Sequence, residues 1–183
     1  MIKATETKLK GCFILEPEIF EDERGYFFES YNHRDFCKAI EQEVNFVQDN
    51  QSFSKKGVLR GLHFQKGEHA QAKLVSVLQG IIQDVVVDLR KNSPTFGEHL
   101  SIELCGDDKK QLFVPRGFAH GFLTLSESAR VVYKCDNYYK KEAEGGIIYN
   151  DYSLGIKWKT NYKKIILSKK DRLLANFKIF KEV

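Results

Sequence analysis

The sequence predicts an all-β sandwich or barrel. Three observations carry that prediction. Short apolar, β-branched and aromatic runs recur through the chain at 12–15, 25–28, 73–78, 81–89, 112–114, 118–123 and 130–135. Gly, Asn, Asp or Pro separates them, which is how a many-stranded sandwich or barrel is punctuated. Only two segments have helical spacing.

The elements follow in order. Asp22-Glu23-Arg24-Gly25 is a charged turn entering the aromatic run Tyr26-Phe27-Phe28. Asn32 caps a short helix to residue 41, with Phe36 and Ile40 on one face. Within Gly57-Val58-Leu59-Arg60-Gly61-Leu62-His63-Phe64-Gln65, residues 59–65 read as a strand, with Gly61 a natural bulge. Gln79-Gly80 reads as a tight hairpin turn between the runs at 73–78 and 81–89. The stretches 93–97 and 105–108 are loops. Near the end, Ser168 precedes Asp171 in a capping-box pattern ahead of Leu173 and Leu174. No linker or repeat divides the 183 residues, so a single domain, 1–183, is expected. A lone barrel of short strands leaves edges to protect, and sharing strands in a dimer is one way to do so.

Composition narrows the function classes. The net charge of +4 is too mild for a nucleic-acid binder but suits a small anionic ligand such as a diphosphate. No apolar run approaches the roughly 18 residues of a membrane span, and residues 1–6 hold no apolar signal region. Cys12, Cys37, Cys105 and Cys135 are widely and irregularly spaced. A cytoplasmic protein with reduced thiols is the expectation.

The chemistry concentrates in two segments. On an ideal strand His63 and Gln65 share a face and Arg60 takes the other, unless a bulge at Gly61 re-aims it. Pro115-Arg116-Gly117 delivers His120 three residues on. A metal-binding barrel would want His-x-His where this chain has His63-Phe64-Gln65, with an acid near the position of Lys73. A lysine repels a cation, so no catalytic metal and no cofactor are expected. Lys73 is then either a snorkelling strand-end lysine or part of the site. Asp84, in an otherwise apolar run, needs a partner, and Lys73 or His63 would supply one. Tyr133 reads as packing with its hydroxyl at a rim. Arg24 is a turn residue or a phosphate grip. Asp171 is a helix cap or the orienter of a histidine.

Taken together these motifs resemble the dTDP-4-dehydrorhamnose 3,5-epimerase family. The matching stretches include Asp22-Glu23-Arg24-Gly25, Phe46-Val47-Gln48-Asp49-Asn50, the segments 57–65 and 115–122, and Gln71-Ala72-Lys73-Leu74-Val75. Asp88-Leu89-Arg90, Ser93-Pro94-Thr95-Phe96-Gly97, Tyr133-Lys134, Asn137-Tyr138-Tyr139, Asn150-Asp151 and Leu167-Ser168-Lys169-Lys170-Asp171 continue it. The resemblance implies a metal-free cupin-type jelly roll and a homodimer with exchanged strands. It implies His63 as general base, Asp171 as its dyad partner and Tyr133 as general acid. Arg24, Glu29, Gln48, Asn50, Arg60, Lys73, His120, Glu144 and Lys170 fall where that family binds a nucleoside-diphosphate sugar. Arg24 and Glu29 are expected to reach into the partner's pocket, and Tyr138 to stack on the base.

The residues suit that chemistry on its own terms. A C4 ketone acidifies the hydrogens at C3 and C5. Histidine can take such a proton near neutral pH, a carboxylate can steady the imidazolium, and Lys73 can face the enolate oxygen. Tyr133 would return a proton to the opposite face. The alternatives are a mono-epimerase acting at C3 or C5 only and a non-catalytic nucleotide-sugar-binding cupin. A metal-dependent relative is opposed by Gln65 and Lys73.

Overall fold

The computed structural model describes residues 2–178. Thirteen strands and one α-helix are present among them: β1 (Ile2–Glu6), β2 (Phe13–Pro17), β3 (Phe20–Asp22), β4 (Gly25–Phe27), α1 (His33–Ile40), β5 (Gln48–Lys55), β6 (Leu59–Gln65), β7 (Lys73–Gln79), β8 (Ile81–Asp88), β9 (His99–Cys105), β10 (Gln111–Val114), β11 (Phe118–Thr124), β12 (Ser128–Cys135) and β13 (Glu144–Gly146). Two antiparallel sheets form a jelly roll. One has six strands in the order β1-β2-β10-β7-β12-β5, the other five in the order β13-β6-β11-β8-β9. The β3–β4 hairpin stands apart as a sheet of its own.

Alternation along the strands builds the core. Val75, Val77 and Val131 of the larger sheet meet Ile82, Val86, Phe118 and Phe122 of the smaller one. A second layer lies behind the smaller sheet. There Leu59, Leu62, Val85, Val87 and Leu123 pack against Leu154, Ile156, Trp158 and Phe177 of the C-terminal segment. Strand β8 is therefore covered on both faces, which explains why every residue of it after Ile81 is buried. Helix α1 seats Phe36 and Ile40 on Leu15, Leu74 and Phe113 at one end of the larger sheet. The Asn32 side chain accepts from Asp35 N, as the sequence predicts.

Two local expectations are corrected. Gln79-Gly80 is a tight turn but not a hairpin: β7 pairs with β10 and β12, while β8 pairs with β9 and β11. The turn is a corner that carries the chain from one sheet to the other. Gly80 has φ +84, and a Cβ there would sit 2.2 Å from Ser128 O, so only glycine fits. The second predicted helix is a single 3₁₀ turn, Asp171–Leu173. Asp171 N does bond Ser168 Oγ at 3.0 Å. The Asp171 carboxylate, however, turns to His63 and not back to the turn's own start.

Candidate active site

The site lies in the mouth between the two sheets. Strand β6 shapes it. Its pairing with β11 runs Leu59↔Leu123 and Arg60↔Phe122, then resumes at His63↔His120. Gly61 and Leu62 thus oppose Gly121 alone, which is a β-bulge. The extra residue moves Arg60 onto the face of His63, against the ideal-strand reading and as a bulge at Gly61 would allow. Glycine is required here, because a Cβ on Gly61 would lie 2.5 Å from Gly121 Cα.

A cavity of about 310 Å³ is lined by Arg60, His63, Lys73, His120, Tyr133 and Asp171, among others. A neighbouring one of about 220 Å³ shares His63, Lys73 and Tyr133 and adds Gln48, Asn50, Tyr139 and Glu144. Thus β5, β6, β7, β11, β12, β13 and the 3₁₀ turn each supply part of one wall.

His63 Nε2 lies 2.7 Å from Asp171 Oδ1. Burial alone would raise the Asp171 pKa. Hydrogen bonds from His63, Gly61 N and Ser168, with the charge of His63, outweigh it and hold the carboxyl below its ordinary value. A second pair sits beside the first. His120 Nε2 lies 3.0 and 2.9 Å from the two oxygens of Asp84, which is fully buried. Asp84 therefore finds its partner in His120, not in Lys73 or His63 as the sequence reading offered.

Burial lowers the Lys73 pKa against the opposing pull of Cys135, Asp84 and Glu144. Its ammonium has no ion pair within 4.0 Å among the described residues and lies 5.8 Å from the centre of the Tyr133 ring. Burial raises the Tyr133 pKa, so its phenol stays protonated at neutral pH. Tyr139 Oη donates to Glu144 at 2.8 Å, and Lys170 forms an ion pair with the same carboxylate. Gln48 Nε2 donates to Asn50 Oδ1 at 3.0 Å. Arg60 is braced by Ser54 Oγ at 3.0 Å and Phe53 O at 3.2 Å. Gln65 Oε1 accepts from Lys140 N at 3.0 Å.

The nominated residues divide into two groups. His63, Tyr133, Asp171, Gln48, Asn50, Arg60, Lys73, His120, Glu144 and Lys170 line the two cavities. Arg24, Glu29 and Tyr138 do not. Arg24 is exposed and pairs with Asp22 on the β3–β4 hairpin. Glu29 accepts from Asn32 Nδ2 at 3.2 Å. Tyr138 is 67% exposed, and its neighbour Tyr139 lines the wall in its place. Sequence reasoning did not put Asp84 or Tyr139 in the site. An acid inside an apolar run was the available signal for Asp84, but only the strand register shows which histidine answers it.

A carboxylate-held imidazole, a protonated phenol and a half-buried ammonium around one cavity can remove a proton beside a carbonyl and return one elsewhere. Fold and site together define a jelly-roll isomerase that works by acid–base chemistry. The family model for dTDP-4-dehydrorhamnose 3,5-epimerase matches residues 6–178, and the chain belongs to that family. It is 54% identical over 158 residues to the Salmonella typhimurium dTDP-4-dehydrorhamnose 3,5-epimerase, covering 86% of each chain. The crystal structure of the Elizabethkingia anophelis enzyme of that name superposes with a TM-score of 0.94 at 55% identity, over 97% of both chains. The dTDP-6-deoxy-D-glucose-3,5-epimerase of Legionella pneumophila, in complex with dTDP-4-keto-L-rhamnose, gives a TM-score of 0.94 at 43% identity, over 98% of this chain and 94% of that one. Among the described residues, no helix is long and apolar enough to cross a membrane.

Proposed function

We propose that His63 and Tyr133 invert C3 and C5 of dTDP-4-dehydro-6-deoxy-D-glucose, giving dTDP-4-dehydro-L-rhamnose. The observation that carries the assignment is the His63–Asp171 pair lining the same cavity as Tyr133 and Lys73. Asp171 engages Nε2, so Nδ1 takes the proton from the carbon beside the ketone. Asp171 steadies the imidazolium that forms. The Lys73 ammonium faces the enolate oxygen, where negative charge develops in a half-buried setting. Tyr133 gives its proton to the opposite face of the same carbon. Solvent then reprotonates the phenolate and takes the proton from His63, so the reaction is redox-neutral. Gln48, Asn50, Glu144 and Lys170 hold the nucleotide sugar, and His120 contacts the sugar from its fixed place beside Asp84.

Arg24, Glu29 and Tyr138 act in a homodimer with exchanged strands. A two-stranded hairpin standing alone is marginal in water. The β3–β4 hairpin exposes Phe20, Tyr26 and Phe27, and the larger sheet exposes Phe53 and Leu78. Pairing two chains through these surfaces covers both and carries Arg24 toward the partner's cavity. The four free cysteines suit a reducing cytoplasm.

The test is proton exchange in D₂O with dTDP-4-dehydro-6-deoxy-D-glucose, followed by NMR. Deuterium should enter at C3 and C5. Label at one carbon means a mono-epimerase, and none means that this substrate is wrong. Tyr133→Phe should still exchange the substrate's hydrogens but yield little inverted product. Full inversion by that variant would remove Tyr133 from the acid role.

A further inference from the structure

The end of helix α1 gathers three metal-ligating side chains that the epimerase chemistry does not use. His33 and Cys37 stand one turn apart on the helix, the spacing at which two ligands share a face. At Glu41 the backbone turns left-handed, with φ 55, and Gln42 N bonds back to Cys37 O at 3.2 Å. This reversal returns Glu43 to the helix, where its Oε1 lies 2.9 Å from His33 Nε2. Cys37 Sγ lies 3.8 Å from His33 Nδ1. One ligand atom from each residue falls within 4.8 Å of the others. Around a tetrahedral zinc ion, Zn–N and Zn–S bonds of about 2.0–2.3 Å put ligand atoms roughly 3.3–3.8 Å apart. Sγ faces Nδ1 and Oε1 faces Nε2, so turning the exposed His33 and Glu43 side chains aims one ring nitrogen at both.

From this geometry we infer a surface site for a zinc-like divalent cation, held by His33, Cys37 and Glu43 with water in the position that three protein ligands leave open. The ligand types are those of zinc. The charges balance: one thiolate and one carboxylate neutralise the dication, and the imidazole binds uncharged. The thiol proton leaves to solvent as the metal binds. Outer contacts are also in place. Val44 N points at Cys37 Sγ from 3.5 Å and can donate to a thiolate. The Tyr31 hydroxyl lies 3.2 Å from His33 Nδ1 and helps to orient the ring. Nearby Arg34 is already bonded to Asp35 at 2.9 Å. The ion would staple the helix to the turn that leads into β5, and so to the strand that carries Gln48 and Asn50. Its role is to hold that segment, not to take part in the chemistry.

The experiment uses the full chain, reduced and stripped with a chelator. Titration with Zn²⁺ should show one equivalent bound per chain and a rise in melting temperature. Co²⁺ as a probe should give a thiolate-to-metal charge-transfer band. Cys37→Ser should lose the band and the thermal shift while keeping epimerase activity. His33→Asn and Glu43→Gln should each weaken binding roughly tenfold or more. Cobalt binding without a thiolate band, or zinc stabilisation undiminished in Cys37→Ser and His33→Asn, would overturn the site.

Discussion

Two histidines stand directly opposite each other on β6 and β11, each bonded to an aspartate, yet the two pairs are built differently. The His63 side chain is 29% exposed, and its carboxylate comes from a 3₁₀ turn far along the chain. The His120 side chain is 7% exposed, and its carboxylate comes from the adjacent strand β8. A base must meet substrate and then pass its proton to water, which the first pair permits. His120 lines the same cavity but shows little of its surface there, and both oxygens of a fully buried carboxylate hold its Nε2. What surrounds two like groups therefore sets them apart, as the proposed roles of base and fixed wall require.

Substitutions sharpen the contrast. The largest effect is expected from His63→Ala, which should slow exchange at C3 and C5 by roughly 10²–10⁴-fold. Wild-type exchange in this variant would pass the role of base to His120. Lys73→Met comes next. It removes the charge facing the enolate, so kcat should fall by roughly 10²–10³-fold. It also removes a half-buried ammonium without an ion pair, so the melting temperature should rise. A fall in melting temperature would mean that Lys73 supports the fold.

Asp171→Asn should lower kcat by roughly 10–10²-fold, the worth of one charge-assisted hydrogen bond, with a modest loss of stability at neutral pH. Its acid response follows from the depressed pKa of Asp171. A carboxylate with a folded pKa below its unfolded value stabilises above the unfolded value, and that stability is lost as pH falls through the folded value. The wild type should therefore lose this increment in acid, and the variant should lack it at every pH. Asp84→Asn should do the reverse, costing about 1–3 kcal/mol of stability in denaturant unfolding with the smaller loss of kcat. Matching profiles for the two aspartate variants would erase the distinction between the pairs.

How far the sequence could be read depends on the range of the interaction. Helix α1 was legible because Asn32, Phe36 and Ile40 act within two turns. The all-β character was legible from the repeated runs. The corner at Gly80 was not, because a tight turn has the same local signature whether its strands pair or part. Arg60 sat on the wrong face in the ideal strand, and the Gly61 bulge that moves it is settled by the close approach of Gly121. Asp171 could be read locally as a cap. Its bond to His63, between residues remote in the chain, is a property of the assembled fold.

That bond also separates two events in the life of the protein. Both sheets draw all their strands but one from the chain up to Cys135, whereas Asp171 arrives with the C-terminal segment that packs behind the smaller sheet. On the ribosome, most of the cavity wall is synthesised first and the carboxylate that bonds His63 comes last. A chain that stops short of Asp171 can thus contain His63, Lys73 and Tyr133 and still lack the carboxylate that bonds His63. Docking of the tail completes both the rear layer of the core and the His63–Asp171 pair.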